Sequence, residues 1–188
     1  MKVLFVNSCI RKNSRTLILC RKYLEKFRTD DIKEINVQNY GLKPFDEKML
    51  EKRNNDITDG DFSDCEYDLA KEFALSDLIV IGAPFWDNSF PAVLKIYLEH
   101  ICVNGITFGY DSSGKPLSLC KAEKLVYITT SGGYISQRNS CKLLLEDMCD
   151  MFGIDKLEFI SAQGLDIVGN NPDEIIKITE QKITDEDF

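Results

Sequence analysis

The sequence predicts a doubly wound α/β domain: a parallel sheet with helices on both faces, formed by residues 1–188 as a single domain. Three observations predict it. Short, nearly unbroken apolar runs recur, as in Val3-Leu4-Phe5-Val6 and Leu78-Ile79-Val80-Ile81, which suits strands covered on both faces. Between such runs lie segments with apolar residues at helical spacing. The alternation itself implies parallel neighbours, because these need crossover connections.

Each element follows in order. Residues 3–7 form the first strand, and a polar loop at 8–14 leads into a helix with Leu17, Cys20, Tyr23, Leu24 and Phe27 on its inner side. Residues 32–37 alternate apolar and polar, as a strand nearer an edge would. Residues 38–62, rich in Asn, Asp, Lys and Gly, read as a long connection. A helix around 64–75 precedes the strand at 78–83. Pro84 ends that strand and an aromatic loop follows. Pro91 then takes the first helical position ahead of Leu94, Tyr97, Leu98 and Ile101. Gly105 to Gly114 reads as a small strand and turn inserted after this helix. Residues 125–130 are the next strand. A helix at about 137–152 turns Cys141, Leu144, Leu145, Met148 and Phe152 inward, with Gly153 as its C-terminal cap. Residues 157–162 are the last strand, and Pro172 opens a closing helix carrying Ile175, Ile176, Thr179 and Ile183. The tail Asp185-Glu186-Asp187 reads as solvated.

Composition excludes several classes. A net charge of −8 argues against nucleic acid, whose binding depends on phosphate neutralisation by Lys and Arg, and against anionic membrane surfaces. No apolar run approaches a membrane span, and the amino terminus lacks a signal-peptide profile. The seven cysteines are odd in number and show no two-residue spacing, and His100 is the only histidine. No metal site is expected; the thiols read as reduced, in a cytoplasmic protein. Cys9, in the first loop, is the one that could touch a ligand. One histidine leaves little room for a Ser-His-Asp triad, and His100 reads as a surface or interface residue.

Three loops at the carboxyl ends of strands carry the candidate chemistry, since open α/β sheets bind ligands there. In Ser8-Cys9-Ile10-Arg11-Lys12-Asn13-Ser14-Arg15-Thr16, hydroxyls, cations and helix N-terminal N–H groups suit a phosphate; Ser14 equally suits a helix cap. The loop has neither a Gly-x-Gly-x-x-Gly fingerprint nor a terminal Gly-Lys-Ser/Thr. Pro84-Phe85-Trp86-Asp87-Asn88 presents large aromatics to a flat ligand. Thr130-Ser131-Gly132-Gly133-Tyr134 offers hydroxyls and close backbone approach. Phe108 and Tyr110 could cover a planar ligand or meet a partner subunit. With no protein nucleophile in view, the reactive group is expected to be a cofactor.

These residues, in this order over nearly the whole chain, resemble the flavodoxin-like NAD(P)H-dependent FMN oxidoreductases, the FMN-dependent NADH azoreductases and quinone reductases. The matching pieces are Ser8 with Ser14-Arg15-Thr16, Gly82 to Asn88, Pro91 to Lys95, Gly105 to Phe108, Ile128 to Gly133, and Phe152-Gly153-Ile154. The resemblance implies a flavodoxin-like five-stranded sheet and tightly bound FMN, with NADH or NADPH as donor and a quinone, azo compound or similar small molecule as acceptor. Hydride would pass through flavin N5 in ping-pong order. It also implies that Ser8, Ser14, Arg15 and Thr16 hold the phosphate. Pro84 to Asn88 would lie along the ring, and Thr130 to Tyr134 on its pyrimidine side. Phe108 becomes the substrate-site candidate and Tyr134 the candidate proton donor. A homodimer is implied as well. Asp87 stands where such proteins commonly have Asn, and Ser131 where they often have Arg. A flavodoxin-like electron carrier, holding FMN without nicotinamide-dependent activity, is the second reading.

Overall fold

The computed structural model describes residues 1–185; Glu186 and Asp187 of the acidic tail lie outside the described residues. The strands are β1 (Lys2–Asn7), β2 (Asp31–Asn36), β3 (Leu78–Gly82), β4 (Phe108–Tyr110), β5 (Pro116–Ser118), β6 (Lys124–Thr130) and β7 (Lys156–Ala162). The helices are α1 (Arg15–Leu24), α2 (Glu47–Asp59), α3 (Asp68–Ala74), α4 (Ala92–Ile101), α5 (Ser140–Phe152) and α6 (Pro172–Asp185). Five strands form one sheet in the order β2-β1-β3-β6-β7, and every neighbouring pair is parallel. Strands β4 and β5 make the inserted antiparallel hairpin.

The unbroken apolar runs are explained by two cores. Alternate strand residues point to opposite faces, so Leu4, Val6, Ile79, Ile81 and Leu125 pack with Phe73, Leu94, Tyr97, Leu145 and Phe152 of α3, α4 and α5. On the other face, Val3, Phe5, Leu78, Val80 and Ile128 meet Leu19, Cys20 and Tyr23 of α1 and Ile176 and Ile183 of α6. At the start of the β6–β7 seam on that second face, Lys124 Nζ lies 2.5 Å from Glu158 Oε2. β2 and β7 are the edge strands, and β2 buries only Ile35 fully.

Four boundaries differ from the sequence reading. The connection at 38–62 contains α2, which buries no residue. Its ends are fixed by Asp46, whose side chain accepts from Met49 N, and by Gly60 in the left-handed region. Pro91 precedes α4, with ψ 142°, as the flanking residue rather than the first helical one. The helix expected from 137 begins at Ser140, because Asn139 caps it by accepting from Cys141 N and Lys142 N. The 64–75 segment opens with a short 3-10 turn, Cys65–Tyr67, before α3. Gly153 caps α5 as expected, at φ 73°; a Cβ there would come within 2.3 Å of Ser118 Cβ, so glycine also lets the hairpin pack against the helix end.

β1 has β2 on one side and β3 on the other, so the connection after β1 runs to one side of the sheet and the connection after β3 to the other. At such a switch point the loops beyond the strands' carboxyl ends diverge and leave a crevice.

Candidate functional site

A cleft of about 390 Å³ opens at this edge. It is walled by the loops after β1, β3, β6 and β7, with Ser14, Arg15, Thr16, Pro84, Phe85, Trp86, Thr130, Ser131 and Gly132 among its lining residues. That volume lies within the range of small-molecule sites, about 300–1,000 Å³.

Its polar end is built on the first loop. Asn7 Oδ1 accepts from Cys9 N at 2.9 Å, and Ser8 N donates to Gly82 O at 2.8 Å, fixing the loop's departure from the sheet. Ser14 caps α1, its hydroxyl accepting from Leu17 N at 3.2 Å. No acidic residue occupies the first turn of α1, so the positive end of that helix is left for an external anion. Thr16 Oγ1 and Thr130 Oγ1 lie 2.7 Å apart, both residues buried. One hydroxyl spends its proton on the other, which keeps its own to donate. Ser8 is fully buried, and its Oγ has no hydrogen-bond partner among the described residues.

The aromatic end is a tight hairpin turn. Trp86 N donates to Ser89 O at 2.7 Å and Ser89 N to Trp86 O at 2.8 Å, with Asp87 at φ 49° and Asn88 at φ 62°. Two successive left-handed residues form the type I′ geometry that favours Asn, Asp and Gly. This dipeptide is therefore required by the turn, and both residues are exposed at its tip without lining the cleft. Phe85 N donates to Thr130 O at 3.0 Å, and Ser140 Oγ donates to Asn88 O at 2.6 Å, so the turn is anchored from both sides. The Arg11 guanidinium lies 5.9 Å from the centre of the Trp86 ring.

The structure brings together most of the expected residues but not all. Ser8, Asp87, Asn88, Gly133 and Tyr134 flank the cleft without lining it. Tyr134 is 72% exposed. Phe108 lies on the β4–β5 hairpin, its ring edge-on to Tyr110, and also outside the lining. Cys9 is buried behind the loop, its Sγ 3.6 Å from Gly82 O. A hydrogen bond from Cys20 lowers its pKa, while burial raises that of Cys20. All seven cysteines are unpaired. His100 is a packing residue, stacked on Phe45 with its ring nitrogen 2.8 Å from Lys43 O.

The sequence reading missed the fourth wall, Leu165 and Asp166 in the loop after β7. Three backbone bonds hold it against the β6–α5 loop: Gly164 N to Gly133 O, Leu165 N to Ser131 O, and Asp166 N to Gly132 O. A signal existed, since Gly164 follows a parallel strand at the same sheet edge as the other three loops.

Among the described residues, no group of three or more His, Cys, Asp or Glu could hold a metal ion, and no helix is long and apolar enough to cross a membrane.

Comparison with known proteins agrees with this architecture. Residues 1–185 match the model of a family described by its flavodoxin-like fold. The chain is 32% identical over 193 residues to FMN-dependent NADH:quinone oxidoreductase 2 of Clostridium acetobutylicum, covering 96% of this chain and 95% of that protein. It is 34% identical over 164 residues to an FMN-dependent NADH:quinone oxidoreductase of Clostridium perfringens, covering 86% and 73%. Among solved structures, an azoreductase of Bacillus anthracis superposes with a TM-score of 0.81 at 22% identity, covering 97% and 96%. An FMN-dependent NADH-azoreductase of the same species, in complex with FMN, gives 0.80 at 18%, covering 97% and 96%. At those identities the structures speak for the fold.

Proposed function

The chain belongs to the family with the flavodoxin-like fold matched over residues 1–185, and from that membership we propose that it is an FMN-dependent NADH:quinone oxidoreductase. The observation that carries the reading is the cleft's two-ended chemistry: an anion site at the α1 N-terminus and an aromatic wall at Phe85 and Trp86. A flat ring joined to a phosphate by a polar chain fits both ends, and FMN has that form. The near full-length likeness to proteins named for this activity supports it.

When bound, FMN would supply the redox chemistry, two-electron transfer from NADH to a quinone or azo acceptor, the two substrates using one cleft in turn. The chain's residues bind and orient. Arg15, Thr16 and the α1 N–H groups hold the phosphate, with Ser14 fixing the helix start. Phe85 and Trp86 wall the ring and exclude water from one side. The backbone of Ser131 and Gly132 approaches the ring's polar edge. Thr130 completes the polar floor, and Ser8, buried beneath the loop, supports it from outside the lining.

A homodimer belongs to the same proposal. Phe108 and Tyr110 lie outside their own chain's cleft, on a hairpin that a second copy of the chain could meet. The location is read as cytoplasmic, in keeping with seven unpaired thiols.

Steady-state kinetics test the reading. With a soluble quinone varied at several fixed NADH concentrations, double-reciprocal plots should be parallel, because both substrates use one cleft in turn. Intersecting lines would contradict sequential occupation of one site, and no NADH-dependent quinone reduction would contradict the activity.

A further inference from the structure

We infer that Arg15 and Asp166 form a strap across the mouth of the cleft that retains the ribityl-phosphate part of the cofactor, with Asp166 as a flavin-binding residue. The inference rests on the FMN reading above. The two residues are far apart in sequence: Arg15 opens α1 and Asp166 lies in the loop after β7, and both line the cleft. Arg15 Nη1 donates to Asp166 Oδ1 at 3.2 Å.

Asp166 is held there by its surroundings. Its own N–H is bonded to Gly132 O, and Leu165 N to Ser131 O, so its backbone is tied to the β6–α5 loop. Its carboxylate lies over Gly132 so closely that a Cβ at that position would come within 2.4 Å of Asp166 Oδ2. The Asp166 side chain is otherwise 74% exposed, so its carboxylate sits against Gly132 with its outer face open.

Charge chemistry narrows what this arrangement accepts. A carboxylate beside an anion site repels a bare phosphate, so it suits a ligand that also brings hydroxyl donors. Asp166 Oδ2 accepts no hydrogen bond among the described residues, and Arg15 has further N–H groups beyond the one given to Asp166. A polyol phosphate satisfies both: its phosphate meets Arg15 at the α1 N-terminus, and its hydroxyls meet Asp166 near Gly132. A ribityl phosphate has this chemistry.

The test is the rate of flavin release, followed by flavin fluorescence on dilution, for the unaltered chain, Asp166→Ala, Arg15→Ala and the double variant. Asp166→Ala should release FMN about two- to five-fold faster, the size expected of an exposed ion pair. It should also speed release of riboflavin, which keeps the ribityl hydroxyls and lacks the phosphate. Its effect on FMN should be smaller in the Arg15→Ala background, since partners in one contact are not additive. Asp166→Glu should restore most of the retention. Slower FMN release from Asp166→Ala would overturn the strap and leave Asp166 as a repulsive charge. An effect of equal size with and without Arg15 would overturn it too. If the unaltered chain binds no FMN, the FMN reading itself fails, a result separate from any effect of Asp166.

Discussion

Trp86→Ala should weaken FMN binding by about thirty-fold, close to 2 kcal/mol, the combined worth of a stacked aromatic contact and its buried area. The loss should be local, because the turn that carries Trp86 is held by its backbone pair with Ser89, by Ser140 on Asn88 O and by Phe85 N on Thr130 O. None of these bonds uses the indole. Trp86→Phe keeps a ring in the same place and should recover most of the affinity. The weakening should be as large for riboflavin as for FMN, since the contact is with the ring and not the phosphate. Trp86 is the only tryptophan, so quenching of its emission reports binding in the unaltered chain, and flavin fluorescence reports it in the variants. Unchanged affinity in Trp86→Ala would refute the aromatic wall.

Lys124→Met should destabilise the fold by about 3–5 kcal/mol. Glu158 is 8% exposed, and neither carboxylate oxygen makes a hydrogen bond among the described residues. Its charge compensation is Lys124 Nζ at 2.5 Å, which also lies 5.9 Å from the Tyr23 ring. Its carboxylate is felt nearby: the pKa of Tyr23 is raised, chiefly by burial and further by the charge on Glu158. Removing the lysine leaves a buried carboxylate without its partner, the costly case for a buried pair. Replacing both partners, as Lys124→Met with Glu158→Leu, should recover most of the loss because no charge is left behind. Urea unfolding of the three variants measures both quantities. A Lys124→Met variant within about 1 kcal/mol of the parent would show the pair to be as weakly coupled as an exposed one.

The parts of this protein that bury apolar residues were the parts legible in its sequence. Each sheet strand is marked by its own apolar residues, and the two-faced burial of Val3 to Val6 and Leu78 to Ile81 is what removed their alternation. Helix α2 went unread for the converse reason. It has no fully buried residue, and its half-buried face carries Met49 and Ile57 with Arg53 and Asp56 between them, so the apolar stripe is too thin to read, and only Asp46 and Gly60 marked its ends. The helix is tied on by polar contacts instead: Arg53 donates to the carbonyls of Glu99, His100 and Cys102 at the end of α4, and Asp56 accepts from the Tyr67 hydroxyl.

The cleft shows the same division. Three of its walls could be placed from strand-end loops, because the position of a loop beyond a parallel strand is set by topology. Which side chains enter the cleft was not legible. Asp87 and Asn88 are taken up by a turn that needs their tolerance of positive φ, and Asp166 reaches the cleft only through backbone bonds between two loops distant in sequence. Asp87 is exposed at the tip of that turn, outside the cleft lining. A solvated carboxylate outside the lining is screened, and its effect on the bound ring is correspondingly small.

The visible spectrum of the FMN-loaded protein on anaerobic addition of NADH decides between an oxidoreductase and a carrier. The FMN-dependent oxidoreductase reading predicts rapid loss of the oxidised-flavin absorption with no other protein present, and its return when a quinone is added. Bound flavin that stays oxidised with both NADH and NADPH would contradict it, and would make the chain a carrier that holds FMN and receives its electrons from another protein.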